Sequence, residues 1–128
     1  MFKTFIIILL LHIFAGYFLQ SKRISTLKRV KKRYLFEHVG LYTLIFIILS
    51  PLLLNITFVE GIIFSLINGC LHLAVDYFTG KFKLKYHKDD IKYGMIVGID
   101  YALHVSMLLI TYIMLYPNAM NTVTFWDR

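Results

Sequence analysis

Polar and ionisable residues are scarce in this chain. Only 16% of its 128 residues are charged, whereas 59% are hydrophobic. A soluble domain of this length needs a polar surface that such a composition does not supply. The composition therefore excludes an ordinary soluble domain and indicates an integral membrane protein.

Several common kinds of site are also absent. The single cysteine, Cys70, excludes an internal disulfide and a cluster of thiolates. The sequence has no glycine-rich phosphate-binding loop, no serine nucleophile motif and no dinucleotide fingerprint. Any chemistry must therefore come from other residue types.

Four apolar stretches are long enough to cross about 30 Å of hydrocarbon at about 1.5 Å per residue. They lie at about residues 4–20, 35–54, 58–79 and 94–116. The first stretch follows Lys3, as the apolar run of a signal peptide follows a basic residue. No small-residue cleavage site comes after it, and a basic segment does, so we expect this stretch to be retained as a membrane helix. The prediction is an all-α membrane protein, one domain over residues 1–128 with four transmembrane helices.

Basic residues are concentrated in two of the connections. The loops at about 21–34 and 80–93 hold all but two of the fourteen Lys and Arg residues, and the connection at 55–57 holds none. By the positive-inside rule both basic loops are cytoplasmic, which places both termini outside.

These loops also predict what the chain contacts. Anionic headgroups of the cytoplasmic leaflet attract juxtamembrane basic segments. This accounts for the net charge of +7, so no nucleic-acid partner is expected. The residues predicted to contact the membrane surface are Lys22, Arg23, Lys28, Arg29, Lys31, Lys32, Arg33, Lys81, Lys83 and Lys85.

Ionisable residues inside the apolar stretches are the strongest functional signal. Such side chains are costly at membrane depth, so they indicate a functional site. Each lies within about three helical turns of the predicted cytoplasmic end of its helix, which places all of them in one layer. They are His12, His38, His72, Asp76, Asp100 and His104.

The spacing of these residues supports a shared site. His72 and Asp76 are four residues apart, so they project from one helix face, and Asp100 and His104 repeat the spacing in the opposite order. The reversed order is expected for a helix that runs the other way. Further rows at this spacing are His38–Tyr42 and His12–Gly16–Gln20.

A short internal repeat suggests a duplication. Residues 12–18 align with residues 72–78 at an offset of 60, and a basic loop and a helix follow each copy. The alternative to four independent helices is therefore two duplicated helical hairpins in the same orientation.

These motifs resemble the uncharacterised bacterial and phage membrane-protein family named domain of unknown function 3307. The family has His-x3-Asp-Phe-x2-Gln in its first helix, which corresponds here to His12, Gly16, Tyr17 and Gln20. Its later motifs match His38 and Tyr42, His72 and Asp76, and Asp100 and His104, with Tyr101 in place of Gln. The resemblance implies the inner membrane of a bacterium or a phage-infected host. Gly16 replaces an acid, which leaves one carboxylate fewer for a two-metal arrangement.

The residue types predict a metal site. Neutral imidazole together with carboxylate suits Zn, Mn or Fe. A cation would also offset the cost of burying two carboxylates, about 2.5–3.5 kcal/mol each. The predicted ligands are His72, Asp76, Asp100 and His104, completed by His38 or His12, with Tyr42 and Gln20 orienting them.

Three functions fit such a site. The first is metal-dependent hydrolysis of a lipid-linked or phosphate-bearing substrate. The second is a structural His–Asp network that only holds the helices together. The protein would then have no enzymatic activity and would act through a second copy or another envelope protein, in a phage lysis-accessory or exclusion role. The third and weakest is a proton or ion path, because the other half of the helices offers only Asn68, Ser106 and Thr111 as polar lining.

Overall fold

The computed structural model describes residues 2–117, and within them the chain is helical, with no strand. A π-helical turn ends the first helix, and a short helix lies in the first basic connection. The elements are α1 (Phe2–Ile13), the π-helical turn (Phe14–Phe18), α2 (Lys22–Leu27), α3 (Lys32–Leu53), α4 (Phe58–Lys83) and α5 (Ile91–Leu115).

Three helices are long and apolar enough to cross a membrane. α3, α4 and α5 have 22, 26 and 25 residues, which correspond to about 33–39 Å. This confirms the prediction of a helical membrane protein. The apolar helix over Phe2–Phe18 is shorter, so the predicted fourth span and the duplicated hairpins stay predictions.

Local capping sets where the helices begin. Thr57 accepts a hydrogen bond from the backbone of Glu60, whose carboxylate accepts one from Thr57 N, and this capping box starts α4. The side chain of Asp90 caps α5 by accepting from Lys92 N at 2.8 Å. The side chain of Ser21 does the same for α2, a helix too short and too polar for the apolar pattern to predict.

The most extensive interfaces join α3 to α4 and α4 to α5. Two glycines of α4 allow the close approach of α3. A methyl group on Gly61 would collide with the ring of Pro51, and one on Gly69 would collide with the side chain of Thr43. Small residues at such crossings are typical of helices that pack within a membrane.

The two ends of the bundle differ in what fills them. At one end the interior is apolar and aromatic, with Phe46 and Phe64 fully buried and Tyr112 donating to the carbonyl of Leu54 at 3.0 Å. The outer faces of the helices expose large apolar side chains such as Leu44 and Ile110, as lipid contact requires. The six ionisable residues that the sequence analysis identified inside the apolar stretches lie at the other end of the bundle, beside α2.

Candidate metal centre

A cavity of about 330 Å³ lies at the polar end of the bundle. Its walls include all six ionisable residues singled out from the sequence, together with Gly16 and Gln20. The π-helical turn forms part of one wall, and such widened turns are frequent beside functional sites. The structure thus brings together residues from four separate helices.

His38, His72 and Asp76 form the tightest group in the cavity. His38 Nε2 lies 3.0 Å from His72 Nε2 and 3.3 Å from Asp76 Oδ2. The distance from His72 Nε2 to the same carboxylate oxygen is 3.5 Å. Three potential ligand atoms on α3 and α4 therefore converge on one point, and all three side chains are buried.

Asp76, Asp100 and His104 form a second group, whose ligand atoms lie within 4.8 Å of one another. The Nδ1 atom of His104 is 2.7 Å from the backbone oxygen of Asp100, so it carries the proton. His104 Nε2 then holds a lone pair, lies 3.7 Å from Asp76 Oδ1 and has no hydrogen-bond partner within residues 2–117. A buried imidazole nitrogen in this state is ready to bind a cation.

Two lysines reach into the centre, Lys28 from the end of α2 and Lys83 from the last turn of α4. Lys28 Nζ lies 2.9 Å from Asp76 Oδ2 and 3.1 Å from His38 Nε2. Lys83 Nζ donates to Asp100 Oδ2 at 2.7 Å. Their side chains are only 17% and 10% exposed. The sequence analysis placed both lysines at the membrane surface, but their long stems carry the ammonium groups inward to the carboxylates.

Thr79 is a member of the site that the sequence analysis missed. Its hydroxyl donates to Asp100 Oδ1 at 2.5 Å and lies 2.8 Å from the backbone oxygen of Val75. The signal was present in the sequence, because Thr79 and Lys83 continue along α4 the face that begins with His72 and Asp76.

His12 and Tyr42 lie beside the two groups. His12 Nδ1 is 3.2 Å from the hydroxyl of Tyr42, and the His12 ring stacks on His104 with 5.3 Å between ring centres. The Tyr42 ring stacks on His72 at 4.1 Å. Tyr42 thus contacts two of the imidazoles, and its role in orienting ligands stays a prediction. Gln20 lines the cavity, and its Oε1 has no hydrogen-bond partner in the described part of the chain.

Arg29 is a third basic residue of the cavity wall. Arg29 Nη1 donates to the hydroxyl of Tyr93 at 2.7 Å, and both residues line the cavity. The remaining predicted membrane-contacting residues have exposed side chains, so headgroup contact stays a prediction for them. They are Lys22, Arg23, Lys31, Lys32, Arg33, Lys81 and Lys85.

Besides Asn68 and Thr111, the opposite half of the bundle buries Ser50 and Ser65. Asn68 donates to the Phe64 carbonyl and Thr111 to the Met107 carbonyl, so each bonds to its own helix. Ser106 is exposed on the outer face. This arrangement gives no support to a continuous proton or ion path.

The sequence matches the model of a protein family over nearly its whole length. The family model described as protein of unknown function (DUF3307) matches residues 4–128, nearly the whole chain. The chain belongs to the DUF3307 family. No curated protein and no solved structure shows significant similarity to it. For this DUF3307 protein, function must therefore be argued from the cavity itself.

Proposed function

We propose that this DUF3307 protein binds a divalent cation, Zn, Mn or Fe, and uses it to hydrolyse a phosphate-bearing, lipid-linked substrate. The observation that carries the proposal is the convergence of His38 Nε2, His72 Nε2 and Asp76 Oδ2 within 3.5 Å of one another. Imidazole nitrogen with a carboxylate is a donor set that such cations prefer.

The spacing of these atoms fits a bound cation. Ligand atoms about 2.0–2.2 Å from one metal ion are about 2.8–3.1 Å apart at adjacent octahedral positions and about 3.3–3.6 Å apart in a tetrahedron. The separations of 3.0, 3.3 and 3.5 Å lie within the span of these values. His104 Nε2, 3.7 Å from Asp76 Oδ1, supplies a further donor at the edge of the group.

When bound, the cation would supply a water molecule activated for attack at neutral pH. The residues of the chain would bind and orient the substrate. Lys28, Arg29 and Lys83 line the same cavity and would attract the phosphate group. Gln20 Oε1, which has no partner among residues 2–117, would accept a hydrogen bond from a substrate hydroxyl.

The position of the cavity supports a substrate with a lipid tail. Tyr17 and Tyr101 belong to its walls, and they are 63% and 50% exposed. The wall between the π-helical turn and α5 therefore reaches the outer face of the bundle, where acyl chains would lie. A headgroup could enter from the basic end while its tail stays in the bilayer.

We predict metal-dependent release of phosphate from such lipids. The assay would use the purified protein in detergent, with phosphatidic acid and a polyprenyl diphosphate as lipids and p-nitrophenyl phosphate as a soluble comparison. Activity on a lipid should disappear in chelator and return with Mn²⁺ or Zn²⁺. The activity of the His72→Ala variant should fall about 100-fold or more, because losing a ligand costs at least as much as losing a hydrogen bond that orients a ligand.

The control is His87→Ala, because the side chain of His87 is 82% exposed in a loop. It should retain wild-type activity. Hydrolysis of p-nitrophenyl phosphate alone would contradict the lipid-linked substrate. Activity on a lipid that resists chelator or survives His72→Ala would contradict a metal-dependent reaction at this centre.

A second candidate function rests on the two buried ion pairs. The ammonium group of Lys28 neutralises the Asp76 carboxylate, and that of Lys83 neutralises the Asp100 carboxylate. A hydrogen-bonded network of this kind stabilises helix association without a metal. The protein would then act only through a partner, either a second copy or another envelope protein.

A further inference from the structure

Asp76 belongs to both groups of potential metal ligands. Its two carboxylate oxygens face different neighbours. Oδ2 lies 3.3 Å from His38 Nε2 and 3.5 Å from His72 Nε2, whereas Oδ1 lies 3.7 Å from His104 Nε2. A carboxylate placed between two sets of donors has the arrangement of a bridging ligand.

We infer that the centre binds two divalent cations, bridged by Asp76. The inference rests on the proposed metal-binding function and deepens it. The first position has His38, His72 and Asp76 Oδ2 as ligands, and the second has Asp76 Oδ1, Asp100 and His104. The second position contains more oxygen donors, so it favours the harder ion, such as Mn²⁺.

The lone pair of His104 points to a ligand at the second position. Its Nδ1 proton is held by the backbone oxygen of Asp100, so the ring cannot turn to use that nitrogen elsewhere. His104 is only 5% exposed, and its Nε2 has no hydrogen-bond partner in the described residues. A buried acceptor without a donor is costly, and a cation at this position would remove that cost.

The two lysines mark where positive charge is favourable. Lys28 Nζ contacts Asp76 Oδ2 and His38 Nε2, two ligand atoms of the first position. Lys83 Nζ contacts Asp100 Oδ2 at the second position, 2.7 Å away. One ammonium group thus accompanies each set of ligands. Each cation would displace one lysine from its carboxylate and free it to contact a substrate anion.

Charge balance connects the second cation to the substrate. Lys28 and Lys83 already neutralise the carboxylates of Asp76 and Asp100, so two divalent cations would add about four positive charges to the buried site. A phosphate monoester dianion would offset about half of that charge, and two cations can bind both the attacking and the leaving oxygen of a phosphoryl group. The second cation therefore increases the preference of the site for an anionic phosphate group.

Gly16 does not prevent this arrangement. A side chain at Gly16 would lie near His12 and Tyr42, 3.9 Å from an atom of each ring. These rings stand beside the two ligand groups. Neither ligand group uses an atom of residue 16, so both groups and the Asp76 bridge are complete with glycine at that position.

The test is the number of Mn²⁺ ions bound per chain. Detergent-purified protein is stripped with chelator, dialysed against Mn²⁺, and measured by elemental analysis and by electron paramagnetic resonance. We expect two Mn²⁺ per chain with an exchange-coupled spectrum. Asp100→Asn and His38→Ala should each reduce the content to one uncoupled ion. Asp89→Asn is the control and should retain two, because the Asp89 side chain is 90% exposed.

Other outcomes separate the two proposals. One Mn²⁺ per chain that is unchanged by Asp100→Asn would overturn the second position but leave the metal-binding function standing. No bound Mn²⁺ in the wild type would overturn the two-cation centre, and a failure of the same protein to bind Zn²⁺ or Fe²⁺ as well would contradict the metal-binding function. Two ions without exchange coupling would contradict the Asp76 bridge. Circular dichroism and size-exclusion chromatography of each variant would show that it keeps the fold. The two variants test the number of bound Mn²⁺ ions from different helices, because His38 lies on α3 and Asp100 on α5.

Discussion

Replacing Asp76 with asparagine should abolish metal binding and strongly destabilise the metal-free protein. The substitution removes a ligand shared by both groups, so bound metal should fall below detection. It also leaves the Lys28 ammonium inside the cavity without its carboxylate. Breaking a buried ion pair from one side costs about 3–5 kcal/mol. Unfolding in denaturant with chelator present would measure the loss, and elemental analysis the metal.

Asp89→Asn is the matched control for this prediction. It removes the same charge from a side chain that is 90% exposed, so both the stability and the metal content should stay at wild-type values. An Asp76→Asn protein with wild-type stability in chelator would contradict the ion pair. A wild-type metal content in that variant would place the metal elsewhere.

Replacing Lys28 with methionine should have opposite effects on stability and on metal affinity. Without metal, Asp76 loses its counter-charge, so the free energy of unfolding should fall by about 3–5 kcal/mol. With metal, no ammonium competes for Asp76 and His38. Since a charge-assisted hydrogen bond contributes about 1.5–3 kcal/mol, affinity should rise about 10-fold to 100-fold. Titration with Zn²⁺ in detergent, followed by thermal unfolding, measures both.

Lys22→Met is the control for Lys28→Met, since it removes the same charge from an exposed position on α2. It should change neither quantity. Loss of stability in Lys28→Met that metal does not restore would favour the structural network over the metal site. Weaker Zn²⁺ binding would show that Lys28 supports the metal rather than competing with it.

The membrane class and the composition of the site could be predicted because they depend on local patterns. Apolar runs of sufficient length specify α3, α4 and α5. The four-residue spacing of His72 with Asp76 and of Asp100 with His104 puts each pair on one helix face, and the structure brings both pairs to one cavity. These predictions needed no knowledge of how the helices pack.

The inward position of Lys28 could not be predicted, because it depends on tertiary structure. In the sequence, Lys28 is one of seven basic residues in a single connection, and nothing local distinguishes it from Lys22. Its role follows from the capped helix α2, which ends at Leu27 and places Lys28 beside α4. The division of the ligands into two groups also depends on the orientation of the Asp76 carboxylate, which spacing does not specify.

Elemental analysis of the wild-type protein tests the central claim most directly. The protein would be purified in detergent without chelator, beside a His72→Ala/Asp76→Ala double variant that lacks ligands of both groups. The metal site predicts at least one equivalent of transition metal per chain in the wild type and none in the variant. A wild-type protein free of metal, or a variant that retains it, would contradict the account.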